Sequence, residues 1–289
     1  MDDQPARGFL TSRPDGFVII LGTNEIASAI AARLSRERFR VVMSHDPFPP
    51  VIRRGMAFHD ALYDDRAEVD GVVAQRAETT MEIVEALSDP GRVVVTHRQL
   101  TDITPLKSPA VVVDARMQKS RTTPDLRGLA RLTIGVGPKF AVNHNCDIAI
   151  ETHPASTGAL VEMGETRLGD GVARTLGGVG KERFVYSECD GVWRTPLDIG
   201  AMIFRGLVLG YQDRIAVRAP MDGYLRGIAR DGVHALAGAK LVEIDPRGRS
   251  ACWTGSDERG RRIAKAVVAA IEKTPTRRHV FRPQLLRLH

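Results

Sequence analysis

The fold is decided by one stretch near the start of the chain, 17-FVIILGTNEIA-27. Its apolar residues, β-branched at their centre, end at Gly22, and small and apolar residues then recur at helical spacing over 26–34. This order predicts a buried strand, a tight glycine turn and a helix. Strand character returns over 40–43, so the opening of the chain is typical of a βαβ unit.

A helix is predicted over 81–87, and four more short apolar runs follow it in the first half of the chain. The runs are RVVVT at 92–96, AVVVD at 110–114, LTIGV at 132–136 and DIAIE at 147–151. Apolar strands that alternate with helices favour a parallel sheet covered on both faces. The sequence therefore predicts an α/β fold in which a Rossmann-like parallel sheet forms a domain over 1–155.

An internal repeat marks the second part of the chain. When 190–211 is shifted forward by 32 residues it falls on 222–243, and the glycines that then coincide are Gly191 with Gly223, Gly200 with Gly232 and Gly206 with Gly238. Neither half can bury its apolar face alone, so we expect the two halves to pack together. The sequence predicts a glycine-rich β domain over 156–250, built from this two-fold repeat.

The second half of the repeat resembles the opening of biotinyl and lipoyl carrier domains at 217–223. In those domains a turn between the halves presents the lysine that is modified, whereas the turn here, 212–214, contains no lysine. We therefore expect a small barrel-sandwich of the biotinyl/lipoyl type with no biotin or lipoate attached. The remaining residues, 251–289, are predicted to form a helix and a basic tail that pack on the α/β domain.

Composition limits the classes of function. The chain has 289 residues and three widely spaced cysteines, and its polar first residues lead us to expect no signal sequence. No apolar run approaches the ~20 residues of a membrane-spanning helix, so we expect a soluble protein of the reducing cytoplasm that binds no membrane. The net charge of +6 includes a basic tail, which is more typical of solvent or subunit contact than of nucleic-acid binding. A homo-oligomer is compatible with these features.

The glycine turn has the place of a dinucleotide-binding fingerprint, G-x-G-x-x-G/A, but departs from it. Gly22 and Ala27 fit the first and third positions, whereas Asn24 stands where a second glycine lets a pyrophosphate approach. Asp46, after the second strand, is one position late for the acid that binds ribose hydroxyls. The candidate cofactor ligands here are Gly22, Thr23, Asn24 and Asp46. The alternative is a structural turn that binds no dinucleotide.

A second polar turn follows the strand at 132–136 and supplies a candidate nucleophile. Because ligands of open α/β sheets lie beyond the carboxyl ends of the strands, we expect this turn to face the ligand. A cysteine beside a histidine and a lysine can react as a thiolate, so Cys146 is the candidate catalytic residue. Its alternative role is packing as a small hydrophobe. The candidate cofactor ligands from this turn are Gly137, Lys139 and His144.

Other polar residues form no established motif. Arg53 and Arg54 are candidate phosphate ligands, with solvated arginines as the alternative. The sequence contains no metal-ligand spacing, nucleophile elbow or P-loop lysine, so no metal site is predicted. The histidines are scattered along the chain, at His45, His59, His97, His144 and His153.

Several motifs, in their order and spacing, resemble those of one family. They are the strand and turn at Gly22, Arg53-Arg54 with 57–58 and 61–63, 113–117, 135–138 through Cys146 to 151–152, 177–178 with 181–183, and 245–248. From 18 to 271 the sequence resembles the YqeB-type accessory proteins of (selenium-dependent) molybdenum hydroxylase systems. The resemblance implies a role in maturing such hydroxylases or handling their cofactor, with a molybdenum hydroxylase or its maturation factors as partner.

The sequence departs from the family pattern at one predicted pocket. The first turn is usually Gly-Ala-Gly-Asp in the family, and it is Gly-Thr-Asn-Glu over 22–25 here. His45 stands where a Glu is usual, and Lys139 stands where a Gly is usual. These changes are typical of a divergent subgroup with another ligand or client.

Three functions are compatible with these features. In the first, an accessory factor binds a molybdopterin-type or nucleotide-bearing cofactor and Cys146 transfers sulfur or selenium; the phosphates are held by Arg53, Arg54 and Lys119. In the second, a non-catalytic scaffold with a degenerate nucleotide site docks a partner through its barrel. The third, an NAD(P)-dependent oxidoreductase, is opposed by Asn24 and by the lack of an evident proton-donor pair. The sequence leaves open whether the protein is an enzyme.

Overall fold

The structure is a computed structural model, and it describes residues 16–118 and 123–274. Lys119 and the basic tail lie outside the described residues. Within them the largest element is a mixed sheet whose strands are β1 (Val18–Leu21), β2 (Val41–Ser44), β3 (Arg66–Val69), β4 (Val72–Arg76), β5 (Val93–Thr96), β6 (Val111–Asp114), β7 (Leu132–Val136), β8 (Ile148–Ile150) and β9 (Leu160–Val161). Their order across the sheet is β3-β4-β5-β2-β1-β6-β7-β8-β9.

The sheet is parallel from β4 to β8, and an antiparallel strand forms each of its edges. The central strands are rich in valine and isoleucine because both faces are covered, and every residue of β1, β2, β5 and β6 is buried. The predicted α/β class, with a large and mainly parallel sheet, is confirmed. The edge strands escape prediction because β3 is largely exposed and β9 has two residues.

Helices cover the sheet, and the last of them packs beside the first. The α-helices of the described residues are α1 (Glu25–Arg36), α2 (Ala61–Asp64), α3 (Thr80–Ala86), α4 (Leu100–Ile103) and α5 (Glu258–Lys273), and the 3-10 helices are Arg54–Met56, Phe58–Asp60, Pro154–Ser156, Lys181–Arg183 and Gly248–Ser250. A Cβ atom on Gly260 of α5 would lie 3.0 Å from the Cβ of Ala29 on α1. In the part of the chain that the structure describes, no helix has both the length and the apolarity needed to cross a membrane.

Successive residues of β1 face opposite layers, as the two-residue period of a strand requires. Val18 and Ile20 belong to the core cluster that includes residues of α1 and α5. Ile19 and Leu21 belong to the cluster that includes residues of α3 and α4. The sheet is thus a middle layer between two helical layers, and the carboxyl ends of its parallel strands share one edge.

Later residues form two further sheets, each with four antiparallel strands among the described residues. The strands are β10 (Phe184–Tyr186), β11 (Gly191–Arg194), β12 (Met202–Ile203), β13 (Val208–Gln212), β14 (Ile215–Arg218), β15 (Gly223–Ile228), β16 (His234–Ala235) and β17 (Lys240–Asp245). One sheet has the order β10-β17-β15-β12 and the other β14-β13-β11-β16. Side chains of both sheets share a core around the fully buried Trp193. We call residues 184–245 the β unit.

The internal repeat is visible in these strands. β11, β12 and β13 begin at 191, 202 and 208, and β15, β16 and β17 begin 32 residues later, at 223, 234 and 240. Each half also gives its short strand to the other half, because β12 pairs with β15 and β16 pairs with β11. Neither half can therefore complete its sheet alone.

Candidate functional site

The glycine turn after β1 caps its own helix. Gly22 has a φ of +105°, a left-handed conformation that favours glycine. The side-chain oxygen of Asn24 accepts hydrogen bonds from the backbone N–H of Ile26 at 2.9 Å and of Ala27 at 3.1 Å. These are the amides that an anion would approach at a helix N-terminus. Asn24 therefore takes the place that a pyrophosphate would need.

The crevice between β1 and β6 is filled by the chain itself. The strand order reverses here, and an open α/β sheet usually binds its ligand at such a point. A Cβ on Gly22 would lie 3.1 Å from the carbonyl oxygen of Ala115 and 3.2 Å from the Cα of Arg116. The same carbonyl accepts a hydrogen bond from the Asn24 amide at 2.8 Å. This geometry favours the structural alternative, and dinucleotide binding in the crevice stays a prediction.

Asp46 lies at the same edge, in a polar network beyond β2 and β6. Its carboxylate accepts from the side-chain amide of Gln118 at 2.7 Å and lies 3.8 Å from the guanidinium of Arg116. Arg116 in turn pairs with Asp114, the last residue of β6, at 2.6 Å. The structure thus places Asp46 near the glycine turn and engages its carboxylate within the chain.

Four aromatic rings meet at the carboxyl edge, on the other side of the turn. His45 follows β2, His59 lies in a 3-10 helix, Tyr63 lies on α2 and His97 follows β5. The ring centroids are 5.1 Å apart for His45 and His59, 5.6 Å for His59 and Tyr63, 6.1 Å for Tyr63 and His97, and 5.5 Å for His97 and His45. We call these four residues the ring cluster. Tilted and edge-on contacts at such distances are favourable packing for aromatic rings.

Thr23 connects two rings of the cluster. Its hydroxyl oxygen lies 3.2 Å from Nδ1 of His45 and 3.0 Å from Nδ1 of His59. Thr23 and His59 are buried, and His45 is partly buried. Burial, together with the nearby His97, lowers the pKa of His45 to about 4, and burial lowers the pKa of His59 well below its usual value. Both imidazoles are therefore neutral at pH 7.

A carboxylate orients the third histidine. Nδ1 of His97 lies 2.6 Å from Glu78, which also accepts from the hydroxyl of Thr96 at 3.1 Å. Glu78 lines an open cavity of about 340 Å³, together with Asp65, Arg66, Gln75, Arg76, Ala77, Thr79 and Glu82. This volume lies within the range of small-molecule sites. Glu78 therefore contacts both the cavity and His97, whereas the four rings themselves are not among the residues that line this cavity.

The β unit also reaches this edge. The guanidinium of Arg230 lies over the Tyr63 ring, 4.3 Å from its centroid, in a cation–π contact. It pairs with Asp64 at 2.8 Å and with Asp60 at 3.3 Å. Residues from both parts of the chain therefore build the surroundings of the ring cluster.

The order of the strands in the sheet brings together histidines that are far apart in the sequence. His45 and His97 each follow the last residue of a buried strand, and the adjacent parallel strands β2 and β5 carry them to one edge. That signal is present in the sequence, whereas His59 comes from an irregular segment whose path no spacing rule predicts. Across 16–118 and 123–274, no three His, Cys, Asp or Glu side chains are placed to hold a metal ion.

Arg53 and Arg54 link the large sheet's part of the chain to the β unit. Arg53 pairs with the fully buried Glu243 at 2.6 Å. Arg54 donates to the carbonyl of Ile228 at 2.9 Å and pairs with Asp60 at 2.6 Å. A phosphate would have to displace these partners, so the contacts favour a structural link. The role of the two arginines as phosphate ligands stays a prediction.

Cys146 lies at the opposite edge of the sheet from the ring cluster. β8 runs parallel to β7, so the chain must return along the sheet after β7, and Cys146 comes just before β8 begins. The expectation that this residue faces the ligand edge is therefore wrong. Its side chain packs with Phe140 and Ala149, and burial raises the pKa of the thiol to about 12. These surroundings favour the packing alternative, and a catalytic role stays a prediction.

The other candidates of that turn lie apart from the glycine turn. Gly137 follows β7 at the carboxyl edge, where a Cβ would lie 3.2 Å from the sulfur of Met117. The carbonyl of Lys139 accepts from the side-chain amide of Asn145 at 3.0 Å, and His144 is exposed. β1 and β6 separate β7 from β2, which at ~4.8 Å per strand places Gly137 about 14 Å across the sheet from the β2 side.

Solved structures give distant likenesses. Apo EutE (DoeB), an ectoine utilization protein of Ruegeria pomeroyi, is 12% identical at a TM-score of 0.24, with 79% of this chain and 86% of that chain covered. A succinylglutamate desuccinylase/aspartoacylase of Rhodobacter sphaeroides is 14% identical at a TM-score of 0.23, covering 79% and 85%. An aspartoacylase family protein of Mesorhizobium loti is 10% identical at a TM-score of 0.25, covering 80% and 85%. TM-scores this low assign neither fold nor function.

Sequence relatives are more informative. No protein-family model matches the chain. The uncharacterized protein YqeB of Escherichia coli (strain K12) is 31% identical over 265 residues, which are 90% of this chain and 48% of YqeB. The chain spans about half the length of this relative. The shared region takes in most of this chain, as the ordered motifs between 18 and 271 predict. The chain therefore belongs to the YqeB-type family.

Proposed function

We propose that this protein is an accessory factor of a molybdenum-dependent hydroxylase system, in which it matures the hydroxylase or handles its cofactor. The family supports the choice of system, and the ring cluster supports the handling of a small molecule. The observation that carries the proposal is the contact of Thr23 with two neutral histidines at the carboxyl edge of the sheet. Titratable groups with strongly shifted pKa values beside a cavity are typical of a functional site.

The cofactor binds, in this proposal, at the ring cluster and not in the crevice between β1 and β6. Asn24 already bonds the amides of α1, and the loop after β6 lies on Gly22. Glu78, which contacts His97 of the ring cluster, lines an open cavity of about 340 Å³. A molybdopterin-type or nucleotide-bearing cofactor contains a planar ring, and aromatic side chains are suited to contact such a ring. Neither Arg53 nor Arg54 is needed to hold it.

The proposal includes the finer architecture of the chain. We assign residues up to 155 to a Rossmann-like domain and 156–250 to a barrel-sandwich of the biotinyl/lipoyl type without a prosthetic group. Residues 251–274 are then a helical segment that belongs with the first domain. The exchange of β12 and β16 supports the barrel-sandwich, and the contact of Gly260 with Ala29 supports the last assignment. We further propose that the protein works in the cytoplasm with a hydroxylase or its maturation factors.

Mass spectrometry of the protein purified from its own host, native and then denatured, tests the proposal. We expect a pterin or nucleotide to accompany the wild-type protein and the Cys146→Ala variant. His59→Asn should lose the ligand because it removes one ring of the cluster. In a strain without the protein, we expect the wild type to restore hydroxylase activity and His59→Asn to fail. A ligand-free mass together with full activity of His59→Asn would contradict cofactor handling.

A non-catalytic scaffold is the second candidate function. The observation that favours it is the self-capped turn, in which Asn24 fills the site of a degenerate nucleotide fingerprint. A scaffold would co-purify with a partner protein and without a small molecule. In that case His59→Asn would support the hydroxylase as well as the wild type does.

A further inference from the structure

The hydroxyl of Thr23 has one proton and contacts two imidazole nitrogens. A hydroxyl group offers one donor and two acceptor positions, and a neutral imidazole donates from one nitrogen and accepts at the other. If both Nδ1 atoms were acceptors, one of them would face the oxygen with no proton between. If both were donors, the hydroxyl proton would need a third partner, and within the described residues Thr23 Oγ1 has these two.

Opposite tautomers of His45 and His59 satisfy both contacts. One ring then carries its proton on Nε2, and the other has a lone pair there, with the ring centroids 5.1 Å apart. Glu78 fixes the third ring, because a carboxylate only accepts and His97 must therefore donate to it from Nδ1. The opposite tautomers of His45 and His59 thus give the ring cluster one Nε2 donor and one Nε2 acceptor.

We propose that the ring cluster binds the hydrogen-bonding edge of a fused pyrimidinone ring, with Thr23 as the positioning residue that sets opposite tautomers on His45 and His59. Such a ring, found in pterins and in oxopurines, carries an N–H group beside a carbonyl oxygen. These groups complement a site that has both an acceptor and a donor. The inference rests on the proposed function, since it takes the ring cluster as the ligand site, and it names the part of the ligand that is recognised.

Matched donors and acceptors make such a site selective. When a ligand lacks one of the groups, the polar partner in the site is left without a hydrogen bond, and discrimination becomes large. Recognition of the ring edge needs no phosphate. Free pterin and free hypoxanthine are therefore the appropriate probes, and 3-methylpterin and 1-methylhypoxanthine are matched controls because each lacks the N–H beside the carbonyl.

Calorimetric titration of the full chain with each probe is the first test. We expect at least one of the two free rings to bind, and its methylated derivative to bind at least about tenfold more weakly, the effect of losing one hydrogen bond. Binding of pterin alone, or of hypoxanthine alone, identifies the source of the ring. Binding of neither ring, or equal binding of the methylated control, overturns the inference.

The tautomers give a second test that a merely structural role of Thr23 would not pass. Nitrogen-15 NMR of the imidazoles distinguishes protonated from unprotonated ring nitrogens. We expect opposite tautomers on His45 and His59 in the wild type and in Thr23→Ser, which keeps the hydroxyl. Thr23→Val should lose the fixed pattern and bind the ring at least about tenfold more weakly. The same tautomer on both rings of the wild type overturns the inference, whether or not Thr23→Val folds.

Failure of this inference can be told from failure of the proposed function. If a free ring binds as expected but a strain without the protein keeps its hydroxylase activity, the function fails and the inference stands. If the hydroxylase depends on the protein but neither ring binds, the inference fails and the function stands.

Discussion

Two neighbouring residues of one turn are used in opposite ways. Asn24 faces the β6 side, where its side chain is satisfied by backbone groups of α1 and of the loop after β6. Thr23 contacts two histidine side chains on the β2 side. Backbone groups do not change their protonation, whereas an imidazole can exchange both its proton and its partner. One side of the turn is therefore a closed structural element, and the other side contains the groups that are capable of chemistry.

The comparison also refines where to look for a site in an open α/β sheet. The reversal of strand order between β1 and β6 marks the usual place for a ligand. Here a backbone loop lies in that place, and the polar rings stand one strand away, beyond β2 and β5. Both the usual ligand place and the ring cluster lie at the carboxyl edge of the sheet. Which side of the glycine turn can bind a ligand depends on which side chains are already hydrogen-bonded within the chain.

The β6 side of the turn, which is closed by the chain itself, should be destabilised by a substitution at Gly22. We expect Gly22→Ala to lower the free energy of unfolding by about 3 kcal/mol, since its φ is +105° and the new Cβ would lie 3.1 Å from the carbonyl oxygen of Ala115. Urea denaturation measures the change. Gly71→Ala is the matched control: its φ is +77°, no atom lies within 4 Å of its Cβ, and we expect a loss of about 1 kcal/mol. Equal losses would show that close approach is not the reason for glycine at 22.

The β2 side of the turn, which contains the histidines, should lose stability when acid protonates His45. The pKa of His45 is about 4 in the folded protein, against 6.5 for the free residue, so the unfolded chain binds this proton first as the pH falls. The stability due to neutral His45 is complete above pH 6.5 and is lost progressively down to about pH 4, a loss of about 3 kcal/mol.

Denaturation of the wild type and of His45→Asn at several pH values isolates this effect, because titrating carboxylates contribute to both proteins. We expect the stability difference between the two proteins to shrink as the pH is lowered through this window. A difference that does not change with pH would mean that His45 titrates normally in the folded state.

Substitutions of Asn24, the N-cap residue of α1, test whether the two sides of the turn are independent. Asn24→Ala removes both hydrogen bonds to the start of α1, and we expect the free energy of unfolding to fall by about 1 kcal/mol. Asn24→Ser, which keeps an acceptor oxygen, should lose less. Ring binding at Thr23 should be unchanged in both variants, as titration with free pterin or hypoxanthine would show. Weaker ring binding in Asn24→Ala would mean that the two sides of the turn are coupled.

Much of the fold is readable from the sequence because its signals are local. The run over 17–21 ends at a glycine that β1 and α1 require, and the valine-rich runs at 92–96 and 110–114 become β5 and β6. The strands β3 and β4 form a hairpin whose polar, exposed residues resemble a loop. Their place at the sheet edge is a property of the whole sheet, and no local pattern states it.

The site is less readable because its residues are joined by topology. Thr23 is recognisable as part of the fingerprint turn, but its partners His45 and His59 are fixed by the strand order and by an irregular segment. Cys146 illustrates the opposite error. The polar residues around it suggest a ligand edge, yet the parallel pairing of β7 and β8 places it at the other edge.

The smallest effect is expected at Cys146, and it contrasts the two edges of the sheet directly. Because the thiol is buried and its pKa is raised to about 12, we expect iodoacetamide to leave Cys146 unmodified in the native protein and to react with the exposed Cys252. Cys146→Ala should restore hydroxylase activity in a strain without the protein as fully as the wild type does. Rapid labelling of Cys146, together with loss of hydroxylase activity in Cys146→Ala, would instead support sulfur or selenium transfer by Cys146, at the amino edge of the sheet. In that case the ring cluster would bind the ligand and the chemistry would take place elsewhere on the molecule.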